Sequence, residues 1–583
     1  MVPPNSTTPG MTSALTKNPD ELWRRGLGGV LDFASASHGR AIVCLIVLAL
    51  IAFLPGFARM PTVDRDEARF AQASKQMIAS GDYIDIRFQD EVRYKKPVGI
   101  YWMQVAAVKA WTFLGRKQAE ARISSYRVPS LLGAIGAVLL TYWTALAFIS
   151  RRASVLAAVM IAGCVLLGVE ARLAKTDAVL LFTVLAAMGV MARAYLDRYD
   201  GLTGWRRKLL LPVIFWGALG LGALVKGPLI LIFIGLPALT LCIVDRSARW
   251  LVRLNPLVGL PVFLALVLPW FIAIYLRSGS SFFAQSAGED MLSKVFSGQE
   301  GHGAPPGYYF LLFFLTFWPA SLLAGLATHT VWRARAEAPV KFLLAWIVPA
   351  WIIFELVITK LPHYVLPLNP AIAILIAGCI DTHRLSRTRW MEYGTFWWFA
   401  VPALLAVIGV VLLLRYEGEL GWRAWPFLAA SVVFGMRAWW LYEVDGPERS
   451  VLRACAASIL LAAGTFWGVL PSLNSLFPSE VVARFVHATE CPDPQVAAAG
   501  FGEPSLVFQM GTDTLLTDGT GAANFLTLGN CRFAVIESHQ DRQFTRRAET
   551  LGLRYDKGLR FVGYSMGSGS RIALTIYYRG RER

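Results

Sequence analysis

Apolar runs of near-membrane length recur along most of this chain. Fourteen such runs lie near residues 41–57, 98–114, 128–149, 154–169, 178–196, 209–224, 227–244, 256–275, 307–328, 342–358, 364–380, 396–414, 424–440 and 454–470. A helix needs about 20 apolar residues to span the hydrocarbon core of a bilayer. The pattern therefore predicts a mainly α, polytopic membrane domain over residues 41–475.

The basic residues predict an orientation for these helices. If segment 98–114 does not cross and the N-terminal segment 1–40 is cytoplasmic, the six inner loops and their helix ends carry nineteen Lys and Arg. The outer loops after the first then carry eight. Lys and Arg are normally enriched in cytoplasmic loops. We therefore expect about thirteen spans, an interfacial or re-entrant helix at 98–114 within a long outer loop (58–127), and an outer C-terminus.

The tail, residues 478–583, has a different pattern. Short apolar or alternating runs at 505–508, 532–536 and 571–578 predict strands, and the stretches 479–488 and 541–551 predict helices. A small α/β domain on the outer side is expected. Cys491 and Cys531 lie in this tail. An oxidising compartment would allow them to form a disulfide; two free thiols are the alternative.

Composition supports a membrane protein and argues against nucleic acid as a partner. The 583 residues are 55% hydrophobic and 16% charged, with a formal net charge of +17. A soluble domain carries about 25% charged residues. The basic residues lie in short loops between apolar runs, where membrane lipids and a phosphorylated substrate are the expected anionic partners.

Charged and polar residues also collect at the outer ends of the apolar runs. Asp66 and Arg69 would share one face of a helix with Asp64 as its N-cap, although a solvated amphipathic helix would show the same spacing. Similar residues follow or precede other runs: Lys95, Lys96, Lys175, Asp177, Lys226, His302, Lys360, His363 and Tyr364. Together they predict a cation-rich cavity for a lipid-linked phosphate. In such a site one carboxylate takes the acceptor's proton while cations stabilise the departing phosphate.

The order of these motifs resembles a known family. The chain contains Asp66-Glu-x-Arg-Phe, Ser80-Gly-Asp-Tyr, Tyr94-Lys-Lys-Pro-Val-Gly, Arg127-Val-Pro-Ser, Thr176-Asp, Lys226-Gly-Pro and Thr359-Lys-Leu-Pro-His-Tyr. This series resembles the aminoarabinose lipid A transferases, which are GT-C membrane glycosyltransferases related to the protein O-mannosyltransferases. The resemblance runs from about residue 41 to 475.

The resemblance implies roles for individual residues. Asp66 would be the catalytic carboxylate and Asp177 a second, supporting acid. The donor phosphate or head group would meet cations and a tyrosine, namely Arg69, Lys95, Lys96, Lys226, Lys360 and Tyr364. Glu67, His302 and His363 would bind the acceptor or serve structure. Lys95 stands where family members often have Glu, which weakens the case for a bound divalent metal; no other cofactor is implied.

The resemblance implies an inverting transferase. It would move a sugar from a polyprenyl-phosphate carrier to lipid A or lipopolysaccharide at the periplasmic face of a bacterial inner membrane. Aminoarabinose, a uronic acid such as galacturonic acid, and a hexose such as mannose all remain open as the sugar. A protein O-mannosyltransferase-like enzyme with a protein acceptor is the alternative. A transporter or flippase for a lipid-linked solute should show repeated halves and broken helices, which this pattern does not. A structural or assembly protein would not need so many outer cations.

Overall fold

Each apolar run forms a helix or a pair of consecutive helices in the computed structural model, which describes residues 19–198, 204–286, 303–386 and 392–579. From the N-terminus these are α1 (Pro19–Ser35), α2 (His38–Phe53), α3 (Asp66–Ser80), α4 (Gly99–Phe113), α5 (Ile123–Ala145), α6 (Arg151–Ala162), α7 (Val165–Glu170), α8 (Asp177–Leu196), α9 (Leu211–Lys226), α10 (Leu229–Val244), α11 (Pro256–Ser278) and the short α12 (Ser281–Phe283). The second half contributes α13 (Tyr308–Thr316), α14 (Ser321–Arg333), α15 (Ala338–Leu356), α16 (Asn369–Asp381), α17 (Trp397–Tyr416), α18 (Trp425–Trp440) and α19 (Tyr442–Ala463).

Judged by helix length and composition alone, fewer helices could cross the membrane than the sequence predicts. In the described ranges, eight helices are long and apolar enough to span a bilayer, or nine if α13 and α14, which meet at a bend of 118°, count as one span. The apolar helices α2 and α10 are shorter, with 16 residues each. Three points remain predictions: the count of thirteen spans, the interfacial position of α4, and the orientation with the N-terminus inside and the C-terminus outside.

Helix α3 is not among the helices that are long and apolar enough to span a bilayer, and it carries the first predicted site motif. Two acids, Asp66 and Glu67, occupy its first turn, where the helix dipole favours negative charge. The helix ends at Gly81, whose φ of 73° lies in the left-handed region that glycine adopts without strain. A two-stranded hairpin, β1 (Arg87–Phe88) and β2 (Glu91–Val92), follows it and leads into α4. Helix α3 packs against α4, and α4 against α5.

Among the described residues of the helical domain, three arginines are completely buried. Arg193 donates to the carbonyls of Gly189 and Trp143 at 3.0 and 2.7 Å. Arg172 donates to the carbonyls of Pro55 and Ala52 at 2.8 and 2.5 Å. The third, Arg127, belongs to the site described below. The side chains of Arg172 and Arg193, which the charge pattern assigns to opposite sides of the membrane, therefore hold backbone carbonyls rather than facing solvent.

The C-terminal domain is built on a five-stranded mixed sheet. Its strands are β3 (Gln495–Ala499), β4 (Leu515–Thr517), β5 (Arg532–Glu537), β6 (Asp556–Tyr564) and β7 (Arg571–Arg579), in the order β4-β3-β5-β7-β6. Strand β3 is parallel to β4 and β5, whereas β7 is antiparallel to β5 and β6. The predicted disulfide between Cys491 and Cys531 is present, with the Cα atoms 5.7 Å apart. It ties the segment before β3 to the start of β5.

Four helices cover the two faces of this sheet: α20 (Pro478–Ala488), α21 (Pro504–Met510), α22 (Gly519–Thr527) and α23 (Asp541–Thr550). Leu506 of α21 and Val482 of α20 belong to the hydrophobic cluster on one face, and Phe544 of α23 belongs to the cluster on the other. The predictions for α20, α23, β5 and β7 are confirmed. The prediction of a strand at 505–508 is wrong, because Pro504 starts a helix there; a four-residue apolar run is too short for its period to distinguish the two.

Candidate active site

A cavity of about 560 Å³ opens where the ends of several helices meet helix α3. Its polar wall comes from the start of α3, the 93–96 segment, the 170–177 segment and the end of α9, and its apolar wall from α7 and α13. Nearly all of the predicted site residues in the described ranges line it: Asp66, Glu67, Arg69, Lys95, Lys96, Asp177, Lys226, His363 and Tyr364. Residues from five separate segments are thus brought to one place.

Asp66 occupies the first turn of α3 and is exposed where it lines the cavity. The residue before it, Arg65, has a φ of 65°, a backbone conformation that non-glycine residues seldom adopt. Such backbone strain persists only where the surrounding structure holds it and is common at functional sites. The backbone on the N-terminal side of Asp66 is therefore held in a conformation that local sequence preferences alone would not select.

Asp64 is not the N-cap of α3, contrary to the sequence prediction. Arg65 takes the N-cap position, and no side chain accepts a capping hydrogen bond there. Asp64 is instead buried, and its Oδ1 accepts a hydrogen bond of 2.8 Å from the backbone N–H of Ser505 in the C-terminal domain. The acid that local spacing assigned to a cap thus serves a contact with a residue more than four hundred positions away.

Asp177 lies at the centre of a buried network of charges. Its carboxylate accepts a short hydrogen bond from the ammonium of Lys226, and the Nζ of Lys175 lies 3.8 Å away. Lys175 also approaches Glu170, with 3.4 Å between Nζ and Oε1. The ring of His363 lies between the two acids, 3.7 Å from Asp177 and 3.8 Å from Glu170. Asp177 is therefore neutralised by cations, whereas Asp66 is open to the cavity.

Lys175 keeps its charge in this network. Burial lowers the pKa of its ammonium, but the carboxylates of Glu170, Asp177 and Asp66 outweigh burial and raise that pKa above the ordinary value. Lys226 lies with its Nζ 5.7 Å from the ring centroid of Tyr364, within the range of a cation–π contact. Lys175 and Lys226 thus both line the cavity that Asp66 also lines.

Glu67 serves structure rather than the acceptor. Its carboxylate is 1% exposed and receives two hydrogen bonds from the guanidinium of Arg127, at 2.7 and 2.9 Å. It also accepts from the backbone N–H groups of Val63 at 2.9 Å and Ala174 at 2.8 Å. All of its bonding capacity is used, and the bonds join the loop before Asp66 to the loop before Lys175.

The remaining predicted cations divide into two groups. Arg69 and Lys96 are half-buried and Lys95 is exposed, and all three line the cavity. Lys360 does not line it: its ammonium donates to the backbone carbonyls of Glu355, at 2.9 Å, and Val357. Lys360 thus stabilises the end of α15, because helix C-terminal carbonyls lack partners within the helix. His302 lies outside the described residues.

Three of the cavity groups could in principle hold a metal ion. One ligand atom each from Glu170, Asp177 and His363 lie within 4.8 Å of one another. Carboxylate oxygens and an imidazole suit several divalent cations. The ammonium groups of Lys175 and Lys226 already neutralise these acids, so the charge that a metal would supply is present on the protein itself.

The predicted site lacks several charged residues that line the cavity, among them Glu170 and Arg93. Glu170 is an acid at the end of an apolar run, and Arg93 stands two positions before Lys95. Arg93 is buried and lies over the ring of Phe70, with 5.3 Å between its Cζ and the ring centroid. An ionisable residue at membrane depth is the signal that would have pointed to Glu170.

The chain is similar in sequence to known membrane transferases. The profile of the family described as dolichyl-phosphate-mannose-protein mannosyltransferase matches residues 43–280. The undecaprenyl phosphate-alpha-4-amino-4-deoxy-L-arabinose arabinosyl transferase of Pseudomonas aeruginosa (strain UCBPP-PA14) is 28% identical over 469 residues, which cover 79% of this chain and 78% of that protein. The protein of the same description from Pectobacterium carotovorum (strain PC1) is 26% identical over 423 residues, or 69% of this chain and 72% of that protein.

The fold is similar to that of a solved aminoarabinose transferase. The crystal structure of ArnT from Cupriavidus metallidurans bound to undecaprenyl phosphate superposes with a TM-score of 0.68 at 20% identity, covering 92% of this chain and 98% of that one. The apo structure of the same protein gives a TM-score of 0.70 at 18% identity. These similarities confirm the resemblance drawn from the motifs: the chain is a membrane glycosyltransferase that is similar in sequence to aminoarabinose transferases and shares the GT-C fold of ArnT.

Proposed function

We propose that this enzyme transfers a sugar from a polyprenyl-phosphate carrier to lipid A or lipopolysaccharide at the periplasmic face of the inner membrane. The observation that carries the proposal is the exposed carboxylate of Asp66: the other acids among the described cavity residues are buried and already hydrogen-bonded or paired with cations. Such a site suits a substrate that brings its own phosphate leaving group, for which no second acid is needed.

The residues around the cavity support a division of labour in the reaction. The carboxylate of Asp66 accepts the proton of the acceptor hydroxyl as its oxygen attacks the anomeric carbon. The bond from that carbon to the phosphate oxygen breaks, and polyprenyl phosphate leaves with the bonding electrons. Lys226, Lys96 and Arg69 stabilise the charge that develops on the departing phosphate. Attack from the side opposite the leaving group inverts the anomeric centre.

An apolar groove beside the cavity supports a lipid-linked donor. This groove, about 390 Å³ in volume, runs between α13 and α17 and is lined by Tyr308, Leu311, Leu312, Leu315, Trp397, Val401, Leu404 and Leu405. Leu312 and Leu315 also line the active-site cavity, so the groove and the cavity share a wall. We assign the groove to the isoprenoid chain of the donor, whose phosphate would then lie among the cations.

The relatives support this substrate class and leave the sugar open. The curated relatives are named for an undecaprenyl-phosphate-linked aminoarabinose donor, and the ArnT structure holds undecaprenyl phosphate. The match to the mannosyltransferase profile favours a second candidate, transfer of a hexose to a protein hydroxyl. A uronic acid donor also fits a cavity rich in cations.

The test is sugar transfer by the purified protein in lipid nanodiscs. Radiolabelled polyprenyl-phosphate aminoarabinose, galacturonic acid and mannose are each supplied with lipid A, with lipopolysaccharide core, or with denatured periplasmic protein. Label in a lipid A or core product supports the proposal, and label in protein favours the second candidate. Absence of transfer with all three donors, under conditions where the protein binds polyprenyl phosphate, would contradict both.

A further inference from the structure

One side chain of the C-terminal domain is buried inside the helical domain. Phe508 of α21 is 0% exposed and belongs to a hydrophobic cluster whose other members come from the helical domain: Ala71, Val108, Ala119, Ile123, Tyr126 and Ala174. Its ring meets that of Tyr126 edge-on, with 5.4 Å between centroids. Among the described residues, Phe508 is the one member of this cluster from the C-terminal domain.

The members of this cluster lie directly behind the active site. Ala71 is on α3, five positions after Asp66, and Ala174 immediately precedes Lys175. Phe508 therefore packs in one cluster with residues of both segments that carry acids and cations into the cavity. Lys75, one turn beyond Ala71 on α3, donates to the Phe508 carbonyl at 2.9 Å and lies over its ring at 5.3 Å.

The same domain also binds the two residues that precede Asp66. The backbone N–H of Ser505 donates to Asp64, and the guanidinium of Arg65 donates to the carbonyl of Gly567. Arg65 is the residue with the unfavourable positive φ. A strained backbone conformation persists only where neighbouring groups hold it, and the Gly567 carbonyl is one such group.

Further along α3, the contacts continue. Gln72, which is fully buried, donates from its Nε2 to the hydroxyl of Thr512 at 2.9 Å. Gln89, in the hairpin after α3, donates to the carbonyls of Thr512 and Thr514 at 2.9 and 2.7 Å. Helix α3 is therefore held by the C-terminal domain at its start, its middle and its exit.

We propose that the 503–514 segment of the C-terminal domain is a positioning element of the active site, with Phe508 as its anchor. It holds helix α3 so that Asp66 points into the cavity at the distance that proton transfer requires. The inference rests on the proposed role of Asp66. A displacement of about 1 Å at a reacting group can cost on the order of a hundredfold in rate, so a distant anchor has a catalytic effect without touching substrate.

The position of the cations predicts a distinctive kinetic signature. Lys226 lies on α9 and Lys96 lies before α4, so neither is part of helix α3. Loosening Phe508 should therefore displace Asp66, together with Arg69 on the same helix, while Lys226 and Lys96 keep their places beside the phosphate. Phe508→Ala is expected to lower kcat about ten- to hundredfold, with a smaller loss of donor affinity that comes from Arg69 alone. Phe508→Leu, which refills most of the space, should recover much of that loss.

The matched control lies on the other face of the same sheet. Phe544 is equally buried but packs in the cluster with Tyr577, away from α3. Phe544→Ala should cost the C-terminal domain similar stability, yet the folded enzyme should keep its kcat. Lys75→Met removes the contact to the Phe508 carbonyl without opening a cavity, and should lower kcat in the same direction if Phe508→Ala proves too unstable to purify.

The test uses the full-length protein in nanodiscs with two readouts. Hydrogen exchange of the Asp66–Ser80 helix needs no substrate: it should rise in Phe508→Ala and Lys75→Met but not in Phe544→Ala. Transfer kinetics and polyprenyl-phosphate binding then measure kcat and donor Kd. Unchanged exchange in the helix, or an equal fall of kcat in Phe544→Ala, overturns the positioning role. A wild-type protein without transfer activity would count against the proposed function instead, and the exchange readout would still decide this inference.

Discussion

Glu67 and Arg127 form a two-pronged ion pair in which both side chains are almost completely buried, with Nε to Oε1 at 2.7 Å and Nη2 to Oε2 at 2.9 Å. Arg127 also donates to the carbonyls of Phe57, Met60 and Pro61 at 2.8–3.0 Å. The pair thus connects α5, the loop before α3 and, through Ala174, the loop before Asp177. Glu67 makes the contacts with Arg127 and Ala174, and the neighbouring residue Asp66 is exposed where it lines the cavity.

Breaking this pair should unfold the outer end of the molecule. Glu67→Gln leaves the Arg127 guanidinium buried without its counter-charge, which typically costs about 3–5 kcal/mol. A fall in melting temperature of the purified protein in detergent is the measurement. Glu91→Gln, on the exposed hairpin strand β2, is the control and should melt like wild type. A melting temperature for Glu67→Gln equal to that of the control would contradict the structural role.

Asp66→Asn should abolish most of the turnover while keeping donor binding. The amide preserves size and hydrogen bonding but cannot accept a proton, and loss of a general base typically costs about 10²–10⁴-fold in rate. Transfer kinetics and polyprenyl-phosphate binding of the folded variant test this. Asp90→Asn, an exposed acid in the same outer loop, should stay near wild type. If Asp66→Asn keeps full turnover, Asp177 becomes the next candidate for the base.

The two predicted lysines Lys226 and Lys360 should respond differently to substitution. Lys226→Met removes a cation from the cavity wall, and the loss of a hydrogen bond to a charged group, about 1.5–3 kcal/mol, corresponds to donor binding weaker by about ten- to hundredfold. Lys360→Met removes the partner of two backbone carbonyls outside the cavity, so it should lower the melting temperature and leave donor Kd within about twofold. Equal effects of both substitutions on donor Kd would show that the cavity assignment is wrong.

Docking of the C-terminal domain should weaken as pH rises. Burial, with a contribution from Glu503, raises the pKa of Asp64 to about 7, against the opposing effects of the Ser505 hydrogen bonds and of Arg69. The folded protein then binds more protons than the unfolded chain between about pH 4 and pH 7, so stability falls across that window, by at most about 1.4 kcal/mol per pH unit.

Asp64→Asn should remove this dependence, because the amide keeps the Oδ1 acceptor for Ser505 without a charge. Melting curves at pH 5, 6, 7 and 8 should show the variant close to wild type at pH 5 and more stable at pH 8. Asp90→Asn serves again as the exposed control. Parallel curves for wild type and Asp64→Asn across this range would refute the assignment of the pH dependence to Asp64.

Chelation should leave turnover intact. Lys175 and Lys226 already provide the positive charge beside Glu170 and Asp177, so we expect no divalent ion to be required there. Transfer by EDTA-treated protein, compared with samples supplemented with Mg²⁺ or Mn²⁺, is the measurement. Activity that disappears on chelation and returns with one of these ions would identify Glu170, Asp177 and His363 as a metal site instead.

The sequence by itself determined the class of protein and predicted most of the residues that line the candidate site. Apolar length and period are local properties, so each run could be assigned to a helix, and the ordered motifs around Asp66, Lys96, Asp177 and Lys226 pointed to one cavity. The sequence left the pairing of Cys491 and Cys531 open between a disulfide and two free thiols, and the structure contains the disulfide. The number of spans did not follow as directly, because bends and short helices change how a run meets the bilayer.

Only the tertiary structure decided which charged residues are open to the cavity and which make structural contacts. Glu67 stands beside Asp66 and has the same charge, yet its partner Arg127 is sixty positions away in the chain. Asp64 has the spacing of a cap, but its partner Ser505 comes from another domain. Lys360 belongs to a site motif, but its ammonium donates hydrogen bonds to backbone carbonyls outside the cavity. Local patterns report helix faces and ends; the burial and partners of a charge depend on packing between distant segments, which no window of neighbouring residues encodes.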